Sequence, residues 1–437
     1  MAKHPTPLLD ELESGPWPSF VTDIKRMADS SPACNDLLGQ LELSYKEREG
    51  HWKHGGIVGV LGYGGGVIGR YSDVPELFPN VAHFHTLRVN QPASKFYTSE
   101  ALRTIMDIWR RRGSGMVNMH GSTGDIILLG TFTEQLEPVF AELTKNGFDL
   151  GGSGSALRTP SCCVGKARCE WACIDTQDIC YNLTQFFQDE LHRPAWPYKF
   201  KFKVSGCPND CVAAIARADC SIIGTWRDDI RIDAEAVKAY AAGKIPANGG
   251  SYGPDAKLDI QKDVVEKCPT GCMAWDGKTL KINNRECTRC MHCLNAMPQA
   301  LRPGTDTGAT ILIGAKAPIL EGAQMSSVMI PFMKLKEDVD LSDAAYDEDT
   351  DGEKYQNLKD FAAAAHEWWD ENGRNRERIG ELIQRLGHKE FLAAVGLEPD
   401  PRMVKEPRSN PYIFYTEEEV PGGWKRTIKD YRARHKE

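Results

Sequence analysis

Fourteen cysteines stand in this chain of 437 residues, and two sets of them have the spacing of iron–sulfur ligands. The first set is Cys163 and Cys169, with five residues between, and Cys207 and Cys211, with three between, on a turn that contains Gly206, Pro208 and Asn209. Four thiolates on two turns can hold one iron–sulfur cube, because each iron corner takes one sulfur from the protein. The second set is Cys287, Cys290 and Cys293, at gaps of two, with a remote Cys268 followed by Pro269. That is the bacterial ferredoxin arrangement. Two-cluster ferredoxins end the run with a further cysteine before proline, which serves the other cube. Met297-Pro298 stands there instead, so the run predicts a single cube. A zinc site would use two separated pairs, and a c-type haem site is excluded because His292 precedes Cys293. Cys162, Cys173 and Cys180 are expected to be core residues, and Cys272 a packing residue without a ligand role.

A second group carries charge. Lys199-Phe-Lys-Phe-Lys203 reads as a strand with Lys199, Lys201 and Lys203 on one face and Phe200, Phe202 and Val204 on the other. Lysines commonly guard an edge strand. Basic strands with aromatics also bind single-stranded nucleic acid, but here the phenylalanines point away from the lysines. The favoured reading is an anion cage, since crowded like charges are costly until an anion neutralises them. The glycine-rich stretch Asp149–Pro160 reads as a loop that delivers Arg158 just before the first cysteine pair, or as a plain linker. Arg88 lies in the strand Ala82–Val89. Each arginine is ordinary alone and gains weight only in company.

The elements that must position these groups read as α+β. Gly64-x-Gly66-x-x-Gly69 matches the dinucleotide fingerprint literally. It is rejected, because Pro75 arrives where a helix is needed and the next strand ends without an acidic residue. A glycine-rich turn is expected instead, with room for backbone to approach a flat, carboxylate-rich ligand. Helix Tyr97–Arg111, two strands within Met116–Leu129 around the Gly121–Gly124 turn, and helix Thr133–Asn146 then give a ferredoxin-like order. Cys173–Glu190 reads as a helix. Ala309–Ala315 returns as a buried strand, so the ferredoxin-type unit is read as an insertion. Asp340–Asp351 reads as an acidic linker, and Glu353–Asn372 and Arg374–Val395 as helices. His366-Glu367 lacks the second histidine of a zinc motif. Residues 1–50, broken by Pro5, Pro7, Pro16, Pro18 and Pro32, read as an arm with short helices only, wrapping its own domain or a partner.

The composition, 41% hydrophobic and 26% charged, is that of a globular protein. A formal net charge of −8 argues against bulk nucleic-acid or acidic-membrane binding. No apolar run approaches the ~20 residues of a membrane span, and the first residues lack a signal core. The chain is therefore expected to be cytoplasmic, where cysteines are metal ligands rather than disulfides.

The five-gap and three-gap cysteine pairs and the ferredoxin set resemble the siroheme sulfite/nitrite reductase superfamily, in its dissimilatory sulfite reductase alpha-subunit branch. The likeness runs from His51-Trp-Lys-His-Gly-Gly to Asn410-Pro-Tyr-Ile-Phe. It implies the α+β siroheme sulfite/nitrite reductase fold, one ferredoxin-like/siroheme-domain repeat with an inserted bacterial-type ferredoxin domain. The expected division is an arm over 1–50, a ferredoxin-like domain over 51–153, a siroheme and cluster domain over 154–240 plus 307–400, the inserted domain over 241–306, and an extended tail over 401–437 that docks on a partner. The implied cofactors are siroheme and two 4Fe-4S clusters. One cluster falls to Cys163, Cys169, Cys207 and Cys211, with Cys211 also on the siroheme iron. The other falls to Cys268, Cys287, Cys290 and Cys293. The sulfite-binding groups fall on Arg88, Arg158, Lys199 and Lys201, and the residues alone leave Lys203 open. The implied activity is six-electron reduction of sulfite to sulfide in sulfate or sulfite respiration. Monomeric relatives carry the fold twice, whereas this chain shows each motif once. The resemblance therefore implies a homologous beta subunit in an α2β2 heterotetramer, with a small sulfur-carrier protein as a further partner. Some members hold iron-free sirohydrochlorin on the alpha side. Two other readings stand beside this one: a nitrite-reducing or reverse, sulfide-oxidising relative, and an electron-relay scaffold whose own haem site is silent.

Overall fold

The computed structural model describes residues 3–15, 20–91, 93–193, 195–247, 256–316, 323–336 and 354–398. The acidic stretch 340–351 and the tail 401–437 lie outside them. Helices α1 (Pro7–Glu13), α2 (Phe20–Met27) and α3 (Pro32–Glu47) open the chain. The expectation of short helices only is corrected by α3, which runs for 16 residues. Pro32 does not break it, because a proline in the first turn gives up an N–H that has no partner there. The Ser31 hydroxyl caps the helix by accepting from the Cys34 amide. Leu9, Val21, Ile24, Leu37 and Leu38 pack with Phe78, Val81 and Phe84, so this segment wraps its own domain.

The first sheet follows: β1 (Trp52–Val60), β2 (Tyr63–Ser72), β3 (His85–Asn90), α4 (Ser99–Arg112), β4 (Val117–Met119), β5 (Ile126–Thr131), α5 (Leu136–Lys145) and β6 (Asp149–Leu150). The antiparallel order β6–β3–β5–β4 is ferredoxin-like. Ile105, Ile108 and Trp109 of α4, with Val139 and Leu143 of α5, cover Leu87, Val89 and Leu128. The glycine run is not a turn: it lies inside β2, with no helix after it. Gly66 has φ +89°, and a Cβ there would stand 2.6 Å from the Leu150 Cβ.

Next come β7 (Leu157–Cys162), α6 (Thr176–Phe186), α7 (Gln188–His192), β8 (Phe200–Ser205), α8 (Ala214–Arg217) and β9 (Cys220–Trp226). Then follow β10 (Arg231–Ile232), α9 (Ala234–Ala241), β11 (Met273–Trp275), β12 (Leu280–Ile282), α10 (His292–Ala296) and β13 (Leu301–Arg302). The described chain closes with β14 (Thr307–Ile313), β15 (Ser327–Met333), α11 (Gln356–Asn372), α12 (Ile379–Leu386) and α13 (His388–Ala394). The second sheet has the order β15–β14–β9–β8–β7. Strands β7, β8 and β9 are parallel, while β14 pairs antiparallel with β9, Thr307 opposite Trp226. The chain thus leaves this sheet after Trp226 and re-enters it beside the same residue. Phe200, Phe202 and Val204 face a core shared with Ile179, Leu183, Leu358 and Trp369. The helix expected over Cys173–Glu190 is two helices meeting at Phe187, and that over Arg374–Val395 breaks at Gly387, φ +110°. No helix among the described residues is long and apolar enough to cross a membrane.

Candidate functional site

Cys163 follows β7 and Cys207 lies two residues beyond β8, so two parallel neighbours deliver both cysteine pairs to one end of the second sheet. The first loop turns through Gly165, φ +53°, where a Cβ would meet Thr176 Oγ1 at 2.1 Å. The second turn takes left-handed backbone at Asp210 and Ala213, φ 44° and 51°. Such strain persists only where neighbours over-determine it. Here the Asp210 carboxylate does so, accepting from the Ser205 hydroxyl at 2.6 Å and from the Ala214 and Ile215 amides at 2.8 and 3.0 Å. The Gly206 amide points at Cys163 Sγ, 3.1 Å away. Burial pushes the Cys207 thiol up to about 11, and Cys169, Cys211 and Cys163 add to the push. Thiols that resist one another's ionisation fit a cationic core held between them.

A Cβ on Gly224 of β9 would lie 2.2 Å from the Gly206 carbonyl oxygen. Gly224→Ala should therefore push the cysteine turn off the sheet, lowering stability by about 1–3 kcal/mol and reducing the iron bound per chain. Thermal denaturation and iron analysis check both. Wild-type values in both would show that this contact does not set the turn.

Cys268, Cys287, Cys290 and Cys293 line one small cavity with Met273, Ile282 and Met291. Left-handed backbone at Arg289 and Met291, φ 56° and 70°, bends the loop around it. Burial pushes Cys293 up to about 12, with Cys287, Cys290 and Cys268 adding. Cys272 is a near neighbour, its Sγ 3.5 Å from that of Cys268. Burial raises Cys272 to about 11, whereas hydrogen bonds from Thr270 and Cys272 outweigh burial at Cys268 and lower it. Cys268 is thus the more readily ionised of the two. Cys162, Cys173 and Cys180 are buried, as read from the sequence. No three His, Cys, Asp or Glu side chains among the described residues converge as a single metal ion requires.

The basic residues gather at the opposite end of β7 and β8. Arg158 stands opposite Lys201 across the two strands, and Lys199 immediately precedes β8. Strand β8 is internal, so its lysines guard no edge. The first sheet docks here, with the Gly124 amide donating to the Thr159 carbonyl at 3.1 Å. It brings Arg88, which is 6% exposed and not solvated. Arg88 Nε donates to Asp125 Oδ2 at 3.1 Å, and the Thr123 hydroxyl donates to the same oxygen at 2.6 Å. His120 Nδ1 lies 2.8 Å from Thr123 Oγ1.

Burial drives Arg158 down to about 9, assisted by Arg88 and Arg378. Burial also drives Lys201 down to about 8, with Arg378, Lys199 and Lys203 adding and Asp219 opposing. Lys199 is lowered by burial, Arg378 and Arg158. Burial and the charges of Arg88, Lys201 and Arg158 hold His120 neutral down to about pH 4. All four predicted cations therefore act in one field of under-compensated positive charge. Lys203 is a step nearer the cysteines, 1% exposed, with its Nζ on Ser161 Oγ at 3.1 Å.

Sequence reasoning missed Arg378, Asp219, His120 and Asp125. Arg378 Nε and Nη2 clasp Asp219 at 2.7 and 2.6 Å, and Asp219 also accepts from the Lys201 amide at 2.8 Å. No local pattern announces Arg378, which reads as one residue within the expected helix Arg374–Val395 and instead precedes α12. His120 and Asp125 flank the Gly121–Gly124 turn, and a histidine and an aspartate around a tight turn were the available signal.

Lys201 and Cys207 stand six positions apart along β8 and its turn. At about 3.3 Å per residue that is roughly 20 Å. Cage and cysteine turn lie at opposite ends of the same two strands, so no one substrate atom reaches both within this chain.

Residues 153–402 match the nitrite and sulphite reductase 4Fe-4S domain family. The chain is 58% identical to the dissimilatory-type sulfite reductase subunit alpha of Nitratidesulfovibrio vulgaris, over 100% of both chains. It is also similar to a crystal structure of dissimilatory sulfite reductase I, with a TM-score of 0.83 at 57% identity and 100% coverage of both. A more distant relative is the dissimilatory-type sulfite reductase subunit beta of Archaeoglobus fulgidus, 24% identical, covering 84% of this chain and 90% of that one.

Proposed function

The chain belongs to the family of dissimilatory-type sulfite reductase alpha subunits, and from that membership we propose that it works with a homologous beta chain to reduce sulfite to sulfide by six electrons. The observation that carries the reading is the cage itself: Arg158 opposite Lys201, Lys199 just before β8 and the buried Arg88 beside them make a half-buried field whose charge calls for an anion. Cys163, Cys169, Cys207 and Cys211 would hold one 4Fe-4S cube, with Cys211 also meeting the tetrapyrrole. Cys268, Cys287, Cys290 and Cys293 would hold the second, where electrons enter. When bound, siroheme supplies an iron for the sulfur atom, and the cubes supply electrons one at a time.

The rest falls to side chains. Arg88, Arg158 and Lys199 bind and orient the sulfite oxygens and neutralise the dianion. Lys201, with its ammonium near about 8, holds a proton it can give as oxygen departs in water. His120 stands beside these cations and is held neutral chiefly by burial. The separation of cage from cysteines supports pairing with the beta chain: this cage would face the siroheme held by the partner's cysteines, and the reverse, in an α2β2 assembly. Sulfide would pass to a small sulfur-carrier protein. Iron analysis of the extracted tetrapyrrole decides whether siroheme or sirohydrochlorin sits beside Cys211.

The test is the optical spectrum of the natively purified complex, with its acid-extracted tetrapyrrole, before and after sulfite. Siroheme bands that shift with sulfite are expected. A broad iron–sulfur shoulder without tetrapyrrole would overturn the reading and leave an electron-relay subunit.

A further inference from the structure

The cysteine turn and helix α10 meet through a reciprocal pair of side-chain amides. Asn295 Nδ2 donates to Asn209 Oδ1 at 2.8 Å, and Asn209 Nδ2 donates back to Asn295 Oδ1 at 3.3 Å. Asn209 stands between Cys207 and Cys211, and Asn295 two residues beyond Cys293. One clasp therefore ties the two cluster-binding segments directly to each other. Around it the contact is apolar: Cys207 and Cys293 share a buried cluster with Met291, Leu294 and Met297. Methionine-rich packing adapts to small shifts, whereas two opposed amide hydrogen bonds fix both distance and orientation. Other polar ties run along the rim, such as Arg302 to Glu170 at 2.6 Å and Arg289 Nη2 to the Arg227 carbonyl at 3.1 Å, and both are exposed. Exposed ties of this kind hold weakly.

Resting on the reading that both cysteine sets carry 4Fe-4S cubes, we propose that Asn209 and Asn295 are positioning residues that fix the separation of the two cubes and so set the rate of electron transfer between them. The step makes and breaks no bond. The ferredoxin-type cube is oxidised by one electron, the cube beside Cys211 is reduced by one, and no proton moves. An external one-electron reductant, such as a reduced viologen, recharges the first cube.

The test uses the whole complex with Asn295→Leu, close in volume but without either hydrogen bond, and Asn295→Asp, which keeps an acceptor for Asn209. Iron and acid-labile sulfide count the cubes, and an EPR-monitored redox titration gives both potentials. Rapid mixing with reduced viologen gives the rate between cubes, and hydrogen exchange over 289–297 reports the clasp without any cofactor. For Asn295→Leu, cube content and potentials should match wild type, exchange should quicken, and the rate should fall several-fold, because electron transfer weakens steeply as the gap between two centres widens. Asn295→Asp should fall between, and stands in if the Leu variant loses iron. Unchanged rate and exchange would overturn the proposal, as would a slower rate fully explained by a shifted potential. A wild-type complex short of two cubes would instead overturn the underlying reading, and the iron count tells the two failures apart.

Discussion

Lys201→Met should lower kcat/KM for sulfite about 100- to 1,000-fold, the usual loss when one preorganised donor to a developing charge is removed. Iron and tetrapyrrole content should not change, because Lys201 lies at the far end of the strands from the cysteines. The pH dependence is the sharper check. Burial lowers the Lys201 ammonium to about 8, so it is charged below that pH and neutral above it. The wild-type kcat/KM, which reports the free enzyme, should therefore fall as pH rises through about 8. Lys201→Arg keeps a cation there and should move that limb upward. A limb unmoved in Lys201→Arg would belong to Lys203, which burial also holds near about 8, and would remove the role given to Lys201.

Asp219→Ala should destabilise the protein by about 3–5 kcal/mol, because it strands a buried guanidinium without its partner. Asp219 is fully buried and the Arg378 side chain is 6% exposed. The same carboxylate holds the Lys201 amide, so the damage reaches the cage as well. The double variant Asp219→Ala with Arg378→Met should recover much of the loss, since an apolar replacement of both partners leaves no unpaired charge. Unfolding rates at fixed temperature compare the variants even where unfolding is irreversible. A single-variant loss under about 1 kcal/mol would mean that solvent reaches the pair.

The parts of this site that were legible in the sequence are local along the chain. Cysteines at short gaps read as a cluster site because one loop would present several sulfurs to one cube, and a period-two run of Lys and Phe reports its two faces directly. Arg378 and Asp219 were invisible because they meet only through tertiary folding. Helix α3 was hidden by a proline rule that fails at the first turn of a helix. The glycines of β2 read as a turn because their true reason, the close approach of Leu150 to Gly66, comes from another strand.

The roughly 20 Å between cage and cysteine turn also bears on heredity and on assembly. On the proposed pairing, a lost lysine and a lost cysteine in this one gene injure different reaction centres, and each cage answers to changes in the other gene's cysteine turn. The two genes would then drift together rather than separately. A copy translated without its partner, even one fully loaded with iron, would be an inert precursor that forms no sulfide. Activity would begin with the meeting of the two chains.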